Sequence, residues 1–174
     1  MSGLIVNIKR LHPDAVIPRY ATELAAGFDL VAVRSEIIAP GQTIIIPLGF
    51  SIEIPEGYEL QIRPRSGVSL STKLRVSNSP GTIDVDFRGE VKVLVDNIAP
   101  LTDKRVPYIR HIDGNKRDLA IDTEIEGSYF IRKGDRIAQG VIAPVERAIF
   151  VVVDELSETA RGSGGFGHTG VSSQ

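Results

Sequence analysis

The sequence predicts an all-β fold, a barrel or jelly roll built from many short strands. Three observations carry that prediction. Apolar residues alternate with polar ones at Tyr58, Leu60 and Ile62 and again at Val91, Val93 and Val95, the period of a strand with one buried face. Turn signals split these runs at Pro40-Gly41, Pro55-Glu56-Gly57, Pro80-Gly81 and Lys133-Gly134-Asp135, where proline presets φ and glycine tolerates what other residues avoid. Only one short helix is predicted, after Arg65, over Ser66 to Lys73. Short strands with such regular punctuation are the mark of barrels and jelly rolls.

The elements follow in chain order. Leu4 to Ile8 reads as the first strand, and Ala25-Ala-Gly-Phe-Asp29-Leu then sets an acid after a glycine turn. Thr43 to Ile46 is a β-rich run. The strand through Leu60 and Ile62 runs into Arg63-Pro-Arg65-Ser66-Gly67. An Arg-Ser-Gly turn entering a short helix offers a guanidinium, a hydroxyl and backbone amides to phosphate oxygens, although alone it reads equally as a surface turn.

Next comes Asn78-Ser-Pro-Gly81-Thr82-Ile83-Asp84-Val-Asp86-Phe87-Arg-Gly-Glu90. Pro80-Gly81 permits a tight hairpin whose backbone approaches a ligand closely. Asp84 directly after Ile83 is expected at a strand, with Asp86 on the same face; either carboxylate alone reads as a surface charge. Residues 98–127 mix both charge signs densely with Pro and Gly-Asn turns, which predicts an inserted hairpin or surface excursion. A disordered loop is the alternative, and Tyr108, Ile109 and Ile112 give the segment something to pack. Arg136 to Ala143 is a strand that buries the amide of Gln139, which then needs hydrogen-bond partners. Ala148 to Val153 reads as the last strand.

The chain closes on Arg161-Gly-Ser-Gly-Gly-Phe166-Gly167-His168-Thr169-Gly170. Its five glycines free backbone amides for an anion, Arg161 and Thr169 add a cation and a hydroxyl, and Phe166 has little local core to join. A flexible tail, residues 160–174 staying mobile without a ligand, is the plainer reading. Residues 162–167 match G-x-G-x-x-G formally, but a dinucleotide fold needs a helix and an acid beyond it and the sequence stops too soon.

Composition narrows the partners. Net charge is −2, so no global field favours nucleic acid or an anionic membrane. With no cysteine and with His12, His111 and His168 scattered, disulfides and thiolate metal sites are excluded and a hard cation held by oxygens remains open. No secretory leader and no apolar run near the roughly 20 residues of a membrane span is visible, so the expected location is cytoplasmic.

Taken in order, AGFDL, RPRSG, NSPGTIDVDFRGE, GDRIAQ and RGSGGFGHTG resemble the five ordered motifs of the trimeric dUTPase family, spread over residues 25–170. The resemblance implies one jelly-roll domain over 1–174 that forms a homotrimer, with each site shared among subunits and the C-terminal arm closing over dUTP. It implies Asp84 as the general base for water attack at the α-phosphorus, and Mg²⁺ carried by the phosphates with Asp29 and Gln139 holding its waters. Arg65, Ser66 and Gly67 would bind phosphates, Ser66 near the bridging oxygen. Asn78 and the backbone of Gly81, Thr82 and Ile83 would read the uracil, over Phe87 beneath the deoxyribose. Phe166, with Gly167 beside it, would stack on the base, and Arg161 and Thr169 would clamp the γ-phosphate.

Three departures stand out. Phe87 replaces the usual Tyr, keeping the ring and losing its hydroxyl. His168 stands where Ser is common. The segment 98–127 is longer than the usual connection and similar in placement to insertions in phage dUTPases, where it serves contacts outside catalysis; a regulatory protein is the implied partner. Two rivals share the fold. A dCTP deaminase would carry a Glu in the strand after the hairpin, but Val91-Lys-Val-Leu-Val95 has no carboxylate. A nucleotide-sensing or protein-binding module would have lost Asp84 or Arg161, and both are present.

Overall fold

A computed structural model describes residues 3–165 of the chain. In order, the strands are β1 (Asn7–Arg10), β2 (Phe28–Val31), β3 (Glu36–Ile38), β4 (Thr43–Pro47), β5 (Phe50–Glu53) and β6 (Tyr58–Pro64). One helix, α1 (Ser66–Ser71), is followed by β7 (Leu74–Val76), β8 (Gly81–Ile83) and β9 (Lys92–Asn97). The segment 98–127 adds β10 (Arg105–Val106), β11 (Tyr108–His111), β12 (Lys116–Asp118) and β13 (Glu124–Ile125). The chain returns through β14 (Tyr129–Ile131) and β15 (Arg136–Pro144). This is the all-β fold the alternation predicts. The predicted turns use their glycines: φ is +77° at Gly41, +83° at Gly57 and +92° at Gly134, a region only glycine enters freely.

Two sheets face each other across the core. One has the order β2-β15-β6-β8 and the other β4-β9-β7. Leu30, Leu60 and Ile62 from the first meet Ile46, Leu74 and Val93 from the second in one buried cluster. Val91, Val93 and Val95 point inward while Lys92 is exposed, the alternation of a strand covered on one face. At the middle of the first sheet the residue opposite Phe28 must be glycine: a Cβ on Gly140 would sit 2.7 Å from the Phe28 ring Cζ. Among the described residues the ladders form five separate sheets and do not close into one ring, and no helix is long and apolar enough to cross a membrane.

Three local expectations are corrected. Residues 148–153 form no strand, and Ile149, Phe150 and Val152 are 91%, 94% and 98% exposed. Their composition is that of a strand, but a strand needs a ladder neighbour, and none among the described residues pairs with them. Pro80-Gly81 does not close a two-stranded hairpin: it carries the chain from β7 in one sheet to β8 in the other. Asp84 lies just past β8, and Asp86 follows in a turn, so the two share no strand face.

The segment 98–127 is built onto the domain. β11 and β12 form a hairpin, and β11 also runs parallel to β14, with Arg110 opposite Tyr129 and His111 opposite Phe130. The resulting sheet has the order β12-β11-β14-β3. Ile109, His111 and Ile112 are buried, and Ile112 joins the main core cluster. At the base the buried Asn97 amide donates to Ile38 O at 3.0 Å and Gly127 O at 2.9 Å, closing the excursion where it begins.

Candidate active site

The register of β15 assembles the first half of the site. Gln139 lies opposite Asp29 on β2 and opposite Arg63 on β6, so the GDRIAQ strand brings the AGFDL and RPRSG motifs side by side. Gln139 Nε2 donates to Pro64 O at 2.8 Å, which gives the half-buried amide the partner it needs. Gly27 leaves room for it, since a Cβ there would lie 3.1 Å from Gln139 Oε1.

Asp29 has both carboxylate oxygens engaged. Arg65 Nε donates to Oδ1 at 2.8 Å, and Arg136 Nη1 donates to Oδ2 at 3.0 Å. Arg65 Nη1 also donates to Arg136 O at 3.2 Å. Ser66 and Gly67 are exposed at the head of α1, whose first amides have no intrahelical partner. Asp29, Arg65, Ser66, Gly67, Arg136 and Gln139 line an open cleft of about 250 Å³. Two guanidiniums against one carboxylate leave a net charge of +1, and with exposed amides this suits an anion rich in oxygen.

Arg136 is the residue the sequence reading missed. An Arg between Asp135 and Ile137 reads as a solvated charge, but the β15–β2 register shifts between Arg136 and Ala138. Such a bulge re-aims a side chain, here onto Asp29. The one signal in the sequence was Gly134-Asp135 at the strand's start.

The second half of the site gathers around β8. Gly81 is buried opposite Ile62, and a Cβ on it would meet the Asn78 amide at 3.2 Å. Asn78, Gly81, Thr82 and Ile83 therefore form one continuous edge. Asp84 is exposed and has no ion pair or side-chain hydrogen bond among the described residues. Its carbonyl accepts from the Phe87 N–H at 3.2 Å, so acid and aromatic ring share one turn. The Phe87 ring rests over Gly89, where any Cβ would strike Cζ at 2.6 Å.

The two halves do not meet within one chain. Ile83 pairs with Leu60, five residues before Arg65 along an extended strand, roughly 17 Å at the usual rise. Arg161 stands apart from both, with its Nε donating to Gly164 O at 2.9 Å. Phe166, Gly167, His168 and Thr169 lie outside the described residues.

No three acidic or histidine side chains come together among the described residues as a metal cage would require. The donors fit a different arrangement. Mg²⁺ keeps several waters and commonly binds through substrate phosphates, and Asp29 and Gln139 carry oxygens in the lining of a cleft whose two guanidiniums suit an oxygen-rich anion.

Known proteins resemble this chain over nearly its whole length. The dUTPase family pattern matches residues 14–102 and 125–170, and the gap falls inside the segment 98–127. A deoxyuridine 5'-triphosphate nucleotidohydrolase of Nautilia profundicola is 44% identical, over 95% of this chain and 98% of its own. The enzyme of that name from Helicobacter pylori J99 is 41% identical over 96% and 97%. Among solved structures, a Staphylococcus bacteriophage 80alpha dUTPase mutant with dUpNHpp superposes with a TM-score of 0.90 at 31% identity, covering 96% of this chain and 99% of that one. With motifs, fold and relatives in agreement over nearly its whole length, the chain belongs to the dUTPase family, enzymes that hydrolyse dUTP to dUMP.

Proposed function

We propose that Asp84 is the general base of this hydrolysis. It takes a proton from the water that attacks the α-phosphorus in line, and pyrophosphate departs. The observation that carries the reading is the free carboxylate in the turn tied by Phe87. A base must stay unpaired, because a neighbouring cation would lower its proton affinity. Arg65, Ser66 and Gly67 hold the phosphates, with Ser66 beside the bridging oxygen and Arg136 adding charge to the same cleft. Asn78 and the backbone of Gly81, Thr82 and Ile83 read the uracil, and the Phe87 ring lies beneath deoxyribose and rejects a 2′-hydroxyl. Phe166 and Gly167 cover the base while Arg161 and Thr169 clamp the γ-phosphate.

Asp29 and Gln139 would hold the waters of a Mg²⁺ ion that arrives with the triphosphate. The ion supplies neutralisation of charge developing on the leaving phosphates.

One substrate has to touch both halves of the site, so we assign the active form to a homotrimer in which Asp84 and the Arg65 cleft come from different subunits. Support comes from the roughly 17 Å between them along β6 and from the exposed apolar run 148–153, which has no ladder partner among the described residues. We read residues 1–174 as one domain with its insertion at 98–127. The exposed strand β12, with Lys116 and Arg117, is the face we assign to a regulatory protein. Replacing both by serine is expected to leave hydrolysis unchanged, and lost hydrolysis would instead make β12 part of the catalytic machinery.

The deciding experiment offers dUTP and each of the four standard dNTPs with Mg²⁺ and scores pyrophosphate release and deamination. Release from dUTP alone is expected. Asp84→Asn should bind dUTP yet fail to turn it over; turnover within about tenfold of the parent, roughly 1.4 kcal/mol of barrier, would remove Asp84 as the base.

A further inference from the structure

Little in α1 itself explains why it stays in place. It has six residues, none of them buried, and its N-cap Arg65 makes no side-chain capping bond. Helices of this length do not persist in water on their own, so tertiary contacts must fix it. Some of those contacts come from β7 and the main core, against which Val68 packs, and others from the inserted segment. Ile112, at the tip of the β11–β12 hairpin, is only 7% exposed. Together with Val68 and Ser69 of α1 and Pro64 and Arg65 before it, Ile112 lines a void of about 10 Å³, too small to tolerate slack. Gly114 of the same tip lies against the end of the helix, where its Cβ position would be 3.8 Å from Ser71 Cβ. Lys73, two residues past the helix, is held from both ends of the segment: Ile98 N–H donates to Lys73 O at 3.0 Å, and the hydroxyl of Tyr129 on β14 accepts from Lys73 N–H at 3.1 Å.

We propose that Ile112 is a positioning residue for the phosphate-binding turn, so that the inserted segment sets triphosphate affinity although none of its residues lines the cleft. The inference rests on reading Ser66 and Gly67 as phosphate binders. Removing the Ile112 side chain enlarges the void, and a helix with no buried residue of its own settles toward it. Displacement of phosphate donors by about 1 Å costs up to a hundredfold in a reacting geometry.

The test compares Ile112→Ala and Ile112→Val with Ile109→Ala, an equally buried change on β11 that does not border the void. Two readouts separate positioning from stability. One is amide exchange at Ser69 and Thr72, whose N–H groups donate to Arg65 O and Val68 O. The other is the affinity of a non-hydrolysable dUTP analogue against that of deoxyuridine. Ile112→Ala should speed both exchanges and weaken the analogue about tenfold while deoxyuridine binds as before. Ile112→Val should recover most of the loss, and Ile109→Ala should lower the melting temperature without changing the ratio of affinities. Parental exchange and affinity in Ile112→Ala would overturn the proposal, as would an equal loss in Ile109→Ala. If Ile112→Ala does not fold, Ile112→Val must still show a two- to threefold weakening; no weakening overturns the proposal. A parent chain that fails to bind the analogue would sink the phosphate reading alone, and exchange at α1 would still decide the role of Ile112.

Discussion

If Asp84 and the Arg65 cleft serve one substrate from different subunits, two crippled variants should restore each other. The structure sets the size of the effect. Ile83 sits opposite Leu60, which leaves roughly 17 Å of extended strand to Arg65. A water and the phosphorus it attacks must approach to about 3–3.5 Å, so groups this far apart along one strand serve one reaction more readily from neighbouring subunits. Asp84→Asn removes the base. Arg65→Ala removes a phosphate contact and one partner of Asp29, and losing such a stabilising donor typically costs about 10²–10³ in rate. Each variant alone should therefore retain about 1% of activity or less. Unfolding the two together in equal amounts and refolding them distributes chains at random in a closed threefold ring. Each site then draws an intact Asp84 with probability one half and an intact Arg65 with probability one half. Activity should return to roughly a quarter of the parent value, far above either variant. Native mass spectrometry verifies that mixed trimers exist. Mixed trimers with no more activity than the average of the two variants would refute the shared site.

Two further predictions test the fold. Gly140→Ala drives a Cβ into the Phe28 ring and should cost about 1–3 kcal/mol by overpacking; a urea midpoint unchanged from the parent would mean that the ring moves aside freely. The Asp113 carboxyl is held below the usual carboxylate range, first by the Asn115 backbone N–H and then by Arg132. A lowered folded value stabilises the protein above the unfolded value near 3.9, and that stabilisation is lost as pH falls through the folded value. Asp113→Asn should flatten this acid limb by less than about 1 kcal/mol, because the pair is exposed; an acid limb identical to the parent's would assign the loss to other carboxylates.

What the sequence makes legible depends on whether a segment's partners lie inside the chain. Residues 58–64 and 92–97 form strands as their alternation predicts, and 136–144 as its β-rich composition does, because each finds a ladder neighbour in the same chain. Residues 148–153 form an equally β-rich run and pair with no strand among the described residues: composition tells that a segment favours the extended form and not which molecule supplies the hydrogen bonds. The predicted helix over 66–73 ends early for a local reason, since Thr72 turns extended and its hydroxyl donates to Val68 O at 2.7 Å. Ile109 and Ile112 are recognisable as packing residues, but the helix that Ile112 supports lies some forty positions earlier in sequence, and no local pattern encodes so distant a contact. The site follows the same division. Gln139, Asp29 and Arg65 were each visible through a motif, whereas Arg136 joins them only through a bulge in a ladder.

Asp29 raises the last question, because two roles compete for one carboxylate. In the cleft it bridges Arg65 and Arg136 and keeps two guanidiniums side by side that would otherwise repel. If that cleft binds the triphosphate as proposed, the substrate competes for those same guanidiniums and Asp29 opposes it until a cation intervenes. Asp29→Asn separates the two effects. Removing a unit negative charge a few ångströms from the phosphates should favour the bare triphosphate by about 1–2 kcal/mol in an open, water-filled cleft whose dielectric lies near that of bulk water, a tightening of roughly tenfold. Without Mg²⁺, then, a non-hydrolysable dUTP analogue should bind the variant more tightly than the parent. With Mg²⁺ the order should reverse, because a carboxylate accepts hydrogen bonds from metal-bound waters more strongly than an amide does. Titration calorimetry with and without the ion measures all four affinities. Equal Mg²⁺ benefit in parent and variant would mean that Asp29 never reads the ion and serves only to hold Arg65 and Arg136 in register.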